Sequence, residues 1–313
     1  MTVDADAVPR NSPVLGFEST VPRRYVHRQS VSEVFLTDCT SVGVAHRFLL
    51  GAQWPRLHGF YRTETGRYDA MLIAETLRQT AIYLGHTQYR VPLGHPFVMQ
   101  TLRVDAAVDA LAIGAGAAEV VLDASLDDPV YRGGLLSQFD LTVVVFAIDG
   151  QRVGTGEGVA NVLTPDAYQR LRWNGAGPRR IGDPVCPPPI SPVVVGQSRP
   201  VDVVLGPQYA ENRWRLRVDD RHPVLFDHPS DHVPGMLLLE AFRQSARAAC
   251  GCPDADIALI EATYHRFVEL DEPANVVARI DAHDPWIVRT TVEQWGEVLA
   301  SGVVRLAPDR SRC

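Results

Sequence analysis

The stretch "MLLLEAFRQSA" at residues 236–246 decides how this chain reads, because "MLIAETLRQTA" at 71–81 says nearly the same thing. Aligning 70–85 with 235–250 leaves six of sixteen positions identical: Met, Leu, Glu, Arg, Gln and Ala. Ile73/Leu238, Leu77/Phe242 and Thr80/Ser245 are conservative exchanges. Chance would supply about one identity, so the chain carries an internal repeat. Met236, Leu237, Leu239, Phe242 and Ala246 recur at helical spacing, and Pro234-Gly235 just before them is an initiation signal. Apolar positions run around most of the circumference, which predicts a helix buried on most sides.

The likeness extends outward. "AHRFLLGAQWPRLHGFYR" (45–62) runs parallel to "AENRWRLRVDDRHPVLFDH" (210–228). "VVVFAIDGQRVGTGEGVANVLTP" (143–165) matches "TTVEQWGEVLASGVVRLAPD" (290–309) as two strands around a turn, at Asp149-Gly150 or Trp295-Gly296. Each half therefore reads as one or two strands, one helix, then several antiparallel strands. That pattern describes an α+β fold of the tandem (double) hotdog type, in which each antiparallel sheet wraps around a central helix. The expected organisation is an arm over 1–24, a first hotdog repeat over 25–170, a Pro/Gly-rich linker over 171–195 and a second repeat over 196–310. Two such halves are expected to place their sheets edge to edge as a pseudo-dimer, covering strand edges that would otherwise invite aggregation.

Composition narrows the function classes. The chain has 313 residues, 46% of them hydrophobic and 21% charged, with a net charge of −7. That balance leaves no basic footprint for nucleic acid or an anionic membrane. Every basic residue apart from histidine is Arg, which excludes a Schiff-base lysine. The N-terminus has acidic residues and prolines where a signal peptide needs a basic segment and an apolar run. No apolar run approaches the ~20 residues of a membrane span. The expectation is a cytoplasmic protein whose five cysteines, Cys39, Cys186, Cys250, Cys252 and Cys313, are reduced thiols.

Glu240, Arg243 and Gln244 stand at i, i+3 and i+4, so they share one helical face, as do Glu75, Arg78 and Gln79. Two readings stand side by side: an ion pair bracing a buried helix, or a working carboxylate with its partners. The sequence leading into the second helix, "LFDHPSDHVPGMLLLE" (225–240), favours chemistry in that half. Gly235 sits at the helix start, where unpaired N–H groups and the dipole favour developing negative charge. A thioester carbonyl placed there would meet an oxyanion site, with His232 or His228, beside Asp231, as proton carrier. The first half has no His there, and Ala70 replaces Gly235. His228 and His232 are four apart, but Pro229 and Pro234 make the segment a loop without an obvious third ligand, so no metal is expected. The glycines of Gly154-Thr155-Gly156-Glu157-Gly158 lack a Gly-Lys-Ser/Thr ending and read as strand geometry. His86 and His95 read as surface or loop residues.

"DHVPGMLLLEAFRQSA" resembles the helix start of hotdog hydroxyacyl-carrier dehydratases, with Pro234, Gly235 and Glu240 in register and His228-Pro229 as a loose counterpart of their His loop. The full His-Phe-Pro-Gly is missing, which argues against simple dehydration. The doubled Met-Leu-x-x-Glu-x-x-Arg-Gln, with "VHRQSVSEVFLTD" (26–38) ahead of it, more specifically resembles the AfsA (A-factor synthase) family over about residues 25–310. That resemblance implies transfer of a β-ketoacyl group from acyl carrier protein to a hydroxyl of dihydroxyacetone phosphate, in autoregulator (γ-butyrolactone, butenolide or furan) biosynthesis, with no cofactor. It implies Glu240 or Glu75 as base with help from His232, and Gly235 as oxyanion site. Arg243 and Arg78 would be phosphate forks, with Gln244, Gln79, Asp231 and His228 at the substrate. A carboxylate in an apolar helix is expected to have its pKa raised, an effect the neighbouring Arg opposes. The alternatives are a hotdog dehydratase or thioesterase, or an acyl-ligand-binding regulator. A tandem hotdog is also compatible with further pairing into a homodimer.

Overall fold

The two copies of the repeated phrase form helices α1 (Met71–Thr87) and α3 (Gly235–Cys250) in the computed structural model, which describes residues 14–174 and 182–307. The described chain divides into two compact units. One holds residues up to Arg62 and from Gly66 onward through helix α2 (Pro165–Trp173); the other holds Thr63–Thr65 and the residues from 182 on. Parts of the expected arm (1–13) and linker (175–181), and the chain end (308–313), lie outside the described residues.

The first unit carries β1 (Leu36–Ser41), β2 (Arg47–Trp54), β3 (Phe97–Ala106), β4 (Ala118–Arg132), β5 (Leu135–Ala147) and β6 (Arg152–Val162). They pair antiparallel in the order β1-β2-β4-β5-β6-β3. The second unit carries β7 (Leu205–Ala210), β8 (Arg213–Leu216), β9 (Asp256–Tyr264), β10 (Ala274–Ile280), β11 (Ile287–Gln294) and β12 (Glu297–Ala307). Their antiparallel order is β7-β8-β10-β11-β12-β9. Counted within its own unit, each sheet reads first, second, fourth, fifth, sixth, third, with the long helix inserted between the second and third strands. The sequence repeat is thus a repeat of topology, and each half is a hotdog.

Each helix lies on the inner face of its own sheet. Met71, Leu72, Ile73 and Leu77 of α1, and Leu237, Leu239 and Phe242 of α3, are all buried. Glycines let helix and sheet approach. A Cβ on Gly156 of β6 would stand 3.2 Å from the Leu77 side chain, so the glycine-rich run is strand geometry, as read from the sequence. Gly302 of β12 is tighter: its Cβ would fall 2.6 Å from the Phe242 ring and 2.5 Å from the Glu261 carbonyl. Gly302→Ala should therefore destabilise the second unit by roughly 1–3 kcal/mol through overpacking, read as a lower urea midpoint. The β11–β12 hairpin closes on Trp295 and Gly296, both at positive φ (54° and 80°), as a two-residue primed turn requires.

Four features differ from the sequence reading or add to it. Helix α2 is started by Thr164, whose hydroxyl accepts from Ala167 N–H, with Pro165 in the first turn. The proline-rich stretch from 182 is tied to the second unit, with Val185 N–H bonded to Leu270 O and Ile190 N–H to Leu205 O. Cys252 is disulfide-bonded, against the expectation of reduced thiols, while Cys39, Cys186 and Cys250 are free. His86 is buried in the last turn of α1, not on the surface, and shares a 2.8 Å contact with His27. Among the described residues no helix is long and apolar enough to cross a membrane.

Candidate active site

The two Glu–Arg–Gln trios, buried apart from the half-buried Arg78, face the segment that leads into the first strand of their own unit. In α1, Gln79 Nε2 donates to Glu33 O (2.7 Å) and its Oε1 accepts from Phe35 N–H (2.9 Å). In α3, Gln244 Nε2 donates to Asp202 O (2.8 Å) and its Oε1 accepts from Val204 N–H (2.9 Å). Each glutamine stands in for the backbone partner that an irregular buried segment lacks. Each glutamine also gives Nε2 to Oε1 of its glutamate, at 2.7 Å in both units. A histidine completes the likeness. His58 Nδ1 accepts from Phe60 and Tyr61 N–H, and its Nε2 lies 3.3 Å from Glu33; His222 Nδ1 accepts from Val224 and Leu225 N–H, and its Nε2 lies 3.4 Å from Asp202.

The units part at the carboxylates. Glu75 is closed on both oxygens: Arg78 binds it with Nε (3.0 Å) and Nη2 (2.9 Å), and Arg28 with Nε (3.1 Å) and Nη2 (2.7 Å). Burial would raise its pKa, but the two guanidiniums more than offset this and hold it at about 2. The rise expected for a carboxylate in an apolar helix is thus reversed at Glu75. The fork of Arg78, which the sequence reading turns toward a phosphate, is engaged with this carboxylate and with Val26 O.

Glu240 keeps one oxygen open. Its Oε1 accepts from Arg243 Nη2 (2.8 Å), Gln244 Nε2 (2.7 Å) and Gln197 Nε2 (3.2 Å). Its Oε2 is buried and has no hydrogen-bond partner among the described residues. Gln197 occupies the place Arg28 holds in the first unit. Each follows a short 3-10 turn (Arg23–Val26 or Pro192–Val195) and a residue in the left-handed region, His27 or Gly196. Neither Arg28 nor Gln197 stood out as a site residue in the sequence. The signal was there: "VHRQSVSEVFL" (26–36) and "VGQSRPVDVVL" (195–205) pair Val26 with Val195, Val34 with Val203, Phe35 with Val204 and Leu36 with Leu205 once aligned.

The loop before α3 gathers the remaining candidates. Asp231 Oδ1 lies 2.6 Å from His232 Nδ1, and the His232 ring meets Phe267 edge-on at 4.7 Å. A carboxylate on Nδ1 fixes the proton there and leaves Nε2 as the ring's proton-accepting atom. Ser230 Oγ donates to His232 O, and Val233 N–H bonds Val268 O, so the loop is pinned on both sides of the ring. His228 is more exposed and lies 3.7 Å from Asp227. Gly235 is the first residue of α3, and its carbonyl accepts from the hydroxyl of Tyr264, whose pKa burial pushes up. Its φ is not in the left-handed region, and a Cβ would meet the Tyr264 ring only at 3.4 Å. Glu240 lies five residues, about 7.5 Å, further along the axis at the α-helical rise. Asp231–His232 and Glu240–Arg243–Gln244 are therefore two clusters at different depths of one helix and its lead-in loop.

Fold and site together define a tandem hotdog protein with its polar groups concentrated on the central helices. It belongs to the AfsA family: residues 10–164 and 182–308 match the A-factor biosynthesis hotdog domain. A 2-oxo-3-(phosphooxy)propyl 3-oxoalkanoate synthase of Streptomyces virginiae is 38% identical over 260 residues, covering 83% of this chain and 87% of the relative. Proteins of the same name from Streptomyces coelicolor and Streptomyces griseus are 36% and 35% identical, covering 83% and 89% of this chain and 82% and 93% of their own lengths.

Proposed function

We propose that this chain esterifies dihydroxyacetone phosphate with a 3-oxoacyl group delivered as an acyl carrier protein thioester, an early step of γ-butyrolactone-type autoregulator biosynthesis. The carrying observation is the shared name of relatives matched over more than four-fifths of both chains: a 2-oxo-3-(phosphooxy)propyl 3-oxoalkanoate is the ester of those two parts. Both proposed substrates are intracellular, and a cytoplasmic site of action goes with this reading.

In this reading the substrate hydroxyl donates its hydrogen to Glu240 Oε2 as its oxygen attacks the thioester carbon. The oxyanion that forms is met by N–H groups at the start of α3, where Gly235 keeps the approach open. As the C–O bond forms and the C–S bond breaks, the electron pair leaves on sulfur, and the proton taken by Glu240 is handed to Nε2 of His232, held by Asp231, which delivers it to the leaving thiolate. Arg243 and Gln244 position Glu240. Glu75, closed by two arginines, braces the first unit.

Incubation with 3-oxoacyl carrier protein and dihydroxyacetone phosphate tests the reading by mass spectrometry. A phosphorylated 3-oxoester that needs both substrates is the expected product. Free 3-oxo acid, or an enoyl thioester, formed equally well without dihydroxyacetone phosphate would overturn it in favour of a thioesterase or dehydratase. Ligand binding without turnover would do so in favour of a regulator.

A further inference from the structure

Two buried acceptors in the second unit lack a donor, and they are neighbours. Glu240 Oε2 and Gln197 Oε1 have no hydrogen-bond partner among the described residues, although Gln197 Nε2 lies 3.2 Å from Glu240 Oε1. Turning the Gln197 amide over would not cure this, because it would set an amide oxygen against a carboxylate. An acceptor buried without a donor costs about 1–3 kcal/mol. A cluster that repeats the glutamine and histidine contacts of the first unit but leaves these two oxygens open is shaped for a donor from outside. The first unit shows what closes the same place: Arg28 delivers two nitrogens to Glu75, Arg78 adds its Nε to Oε2, and no carboxylate oxygen is left.

We propose that Gln197 is the positioning residue that makes the second repeat the working one. It is long enough to hold Oε1 of Glu240 and, having no second donor nitrogen or charge to spare, leaves Oε2 for the hydroxyl of the acyl acceptor. An arginine at this position converts a working carboxylate into a brace. This rests on Glu240 acting in the transfer proposed above, and it adds why one repeat does so and the other does not.

The test compares Gln197→Arg with Gln197→Met in the full chain, reading kcat, KM for the thioester and Tm. Gln197→Arg is expected to lower kcat at least about 100-fold, the usual worth of a positioned proton acceptor, because its guanidinium closes Oε2. Its KM for the thioester should stay within about threefold and its Tm should hold or rise, since it restores the bonding seen at Glu75. Gln197→Met removes the amide without supplying a donor and should keep kcat within about tenfold of wild type. Should Gln197→Arg fold poorly, Gln197→Lys brings a cation on a slimmer stem and is read against the same outcomes. A Gln197→Arg or Gln197→Lys protein that keeps both its Tm and its kcat would overturn the inference, as would equal loss in Gln197→Met. Failure of the transferase reading itself would instead appear as wild-type protein that makes no phosphorylated ester.

Discussion

Arg28→Met is expected to destabilise the first unit by about 3 kcal/mol, whereas Gln197→Met at the matching position of the second should cost about 1 kcal/mol. Arg28 is nearly buried and contributes two of the four guanidinium contacts to a carboxylate with no exposed surface. Removing it leaves Glu75 with Arg78 and Gln79 only, and a buried carboxylate short of a partner is among the costliest single changes. The acid limb of stability should change with it. Glu75 has its folded pKa near 2 against an ordinary value of 4.5, so its contribution is complete above the unfolded pKa and is lost as pH falls toward 2. By that difference the contribution is about 3 kcal/mol at neutral pH. In Arg28→Met the folded pKa rises toward the unfolded one, and the first unit should gain less stability between pH 2 and 5. Urea unfolding of both variants at pH 7 and pH 3, followed by hydrogen exchange resolved to each unit, checks the size and the window. Equal losses in the two units at pH 7 would show that the Glu75 cluster is not the brace its geometry describes.

Much of this was legible because the repeat is written in the part of the fold with least freedom. A helix enclosed by a sheet must be apolar nearly all round, and its few polar positions must match the segment they hold. Met71 to Ala81 and Met236 to Ala246 therefore stayed alike. The turn at Trp295-Gly296 and the strand role of Gly154–Gly158 were readable for the same reason, since each rests on local backbone or packing rules. Arg28 and Gln197 were not, because their partners are remote. They lie 47 and 43 residues before their glutamates, and the register between repeats slips from 169 to 165 between those two positions. The pKa of Glu75 was half-readable for the same cause: the opposing Arg78 is visible on the helix, but the second guanidinium, Arg28, comes from outside it. Helix α2 had a clear Thr-Pro-Asp start at 164–166, but no helix was read there, and the boundary set at 170 before the Gly- and Pro-rich residues cuts through its last turn. Part of what separates the closed Glu75 from the open Glu240 is thus a side chain in an irregular segment, where periodicity says nothing.

His232→Gln is expected to lower kcat by about 100- to 10,000-fold, the range of a lost general acid–base group, with little change in Tm. The ring is part-exposed on a loop, beside Asp231 and the edge of Phe267, so its replacement is expected to cost the fold little. Asp231→Asn should produce a smaller loss in kcat with the same Tm. An amide still fills the place of the carboxylate, but it no longer dictates that Nδ1 carries the proton, and part of the population then offers the wrong tautomer at Nε2. The order of the two effects carries the argument. A dyad that only pins the loop should respond through Tm, and losing either partner should cost about the same. A proton carrier with an orienting carboxylate should respond through kcat, and losing the carrier should cost more. Measured kcat values with Tm unchanged, and His232→Gln below Asp231→Asn, place proton transfer at His232. A His232→Gln protein that turns over at the wild-type rate would move that role elsewhere and leave Asp231 and His232 as a loop clamp beside α3.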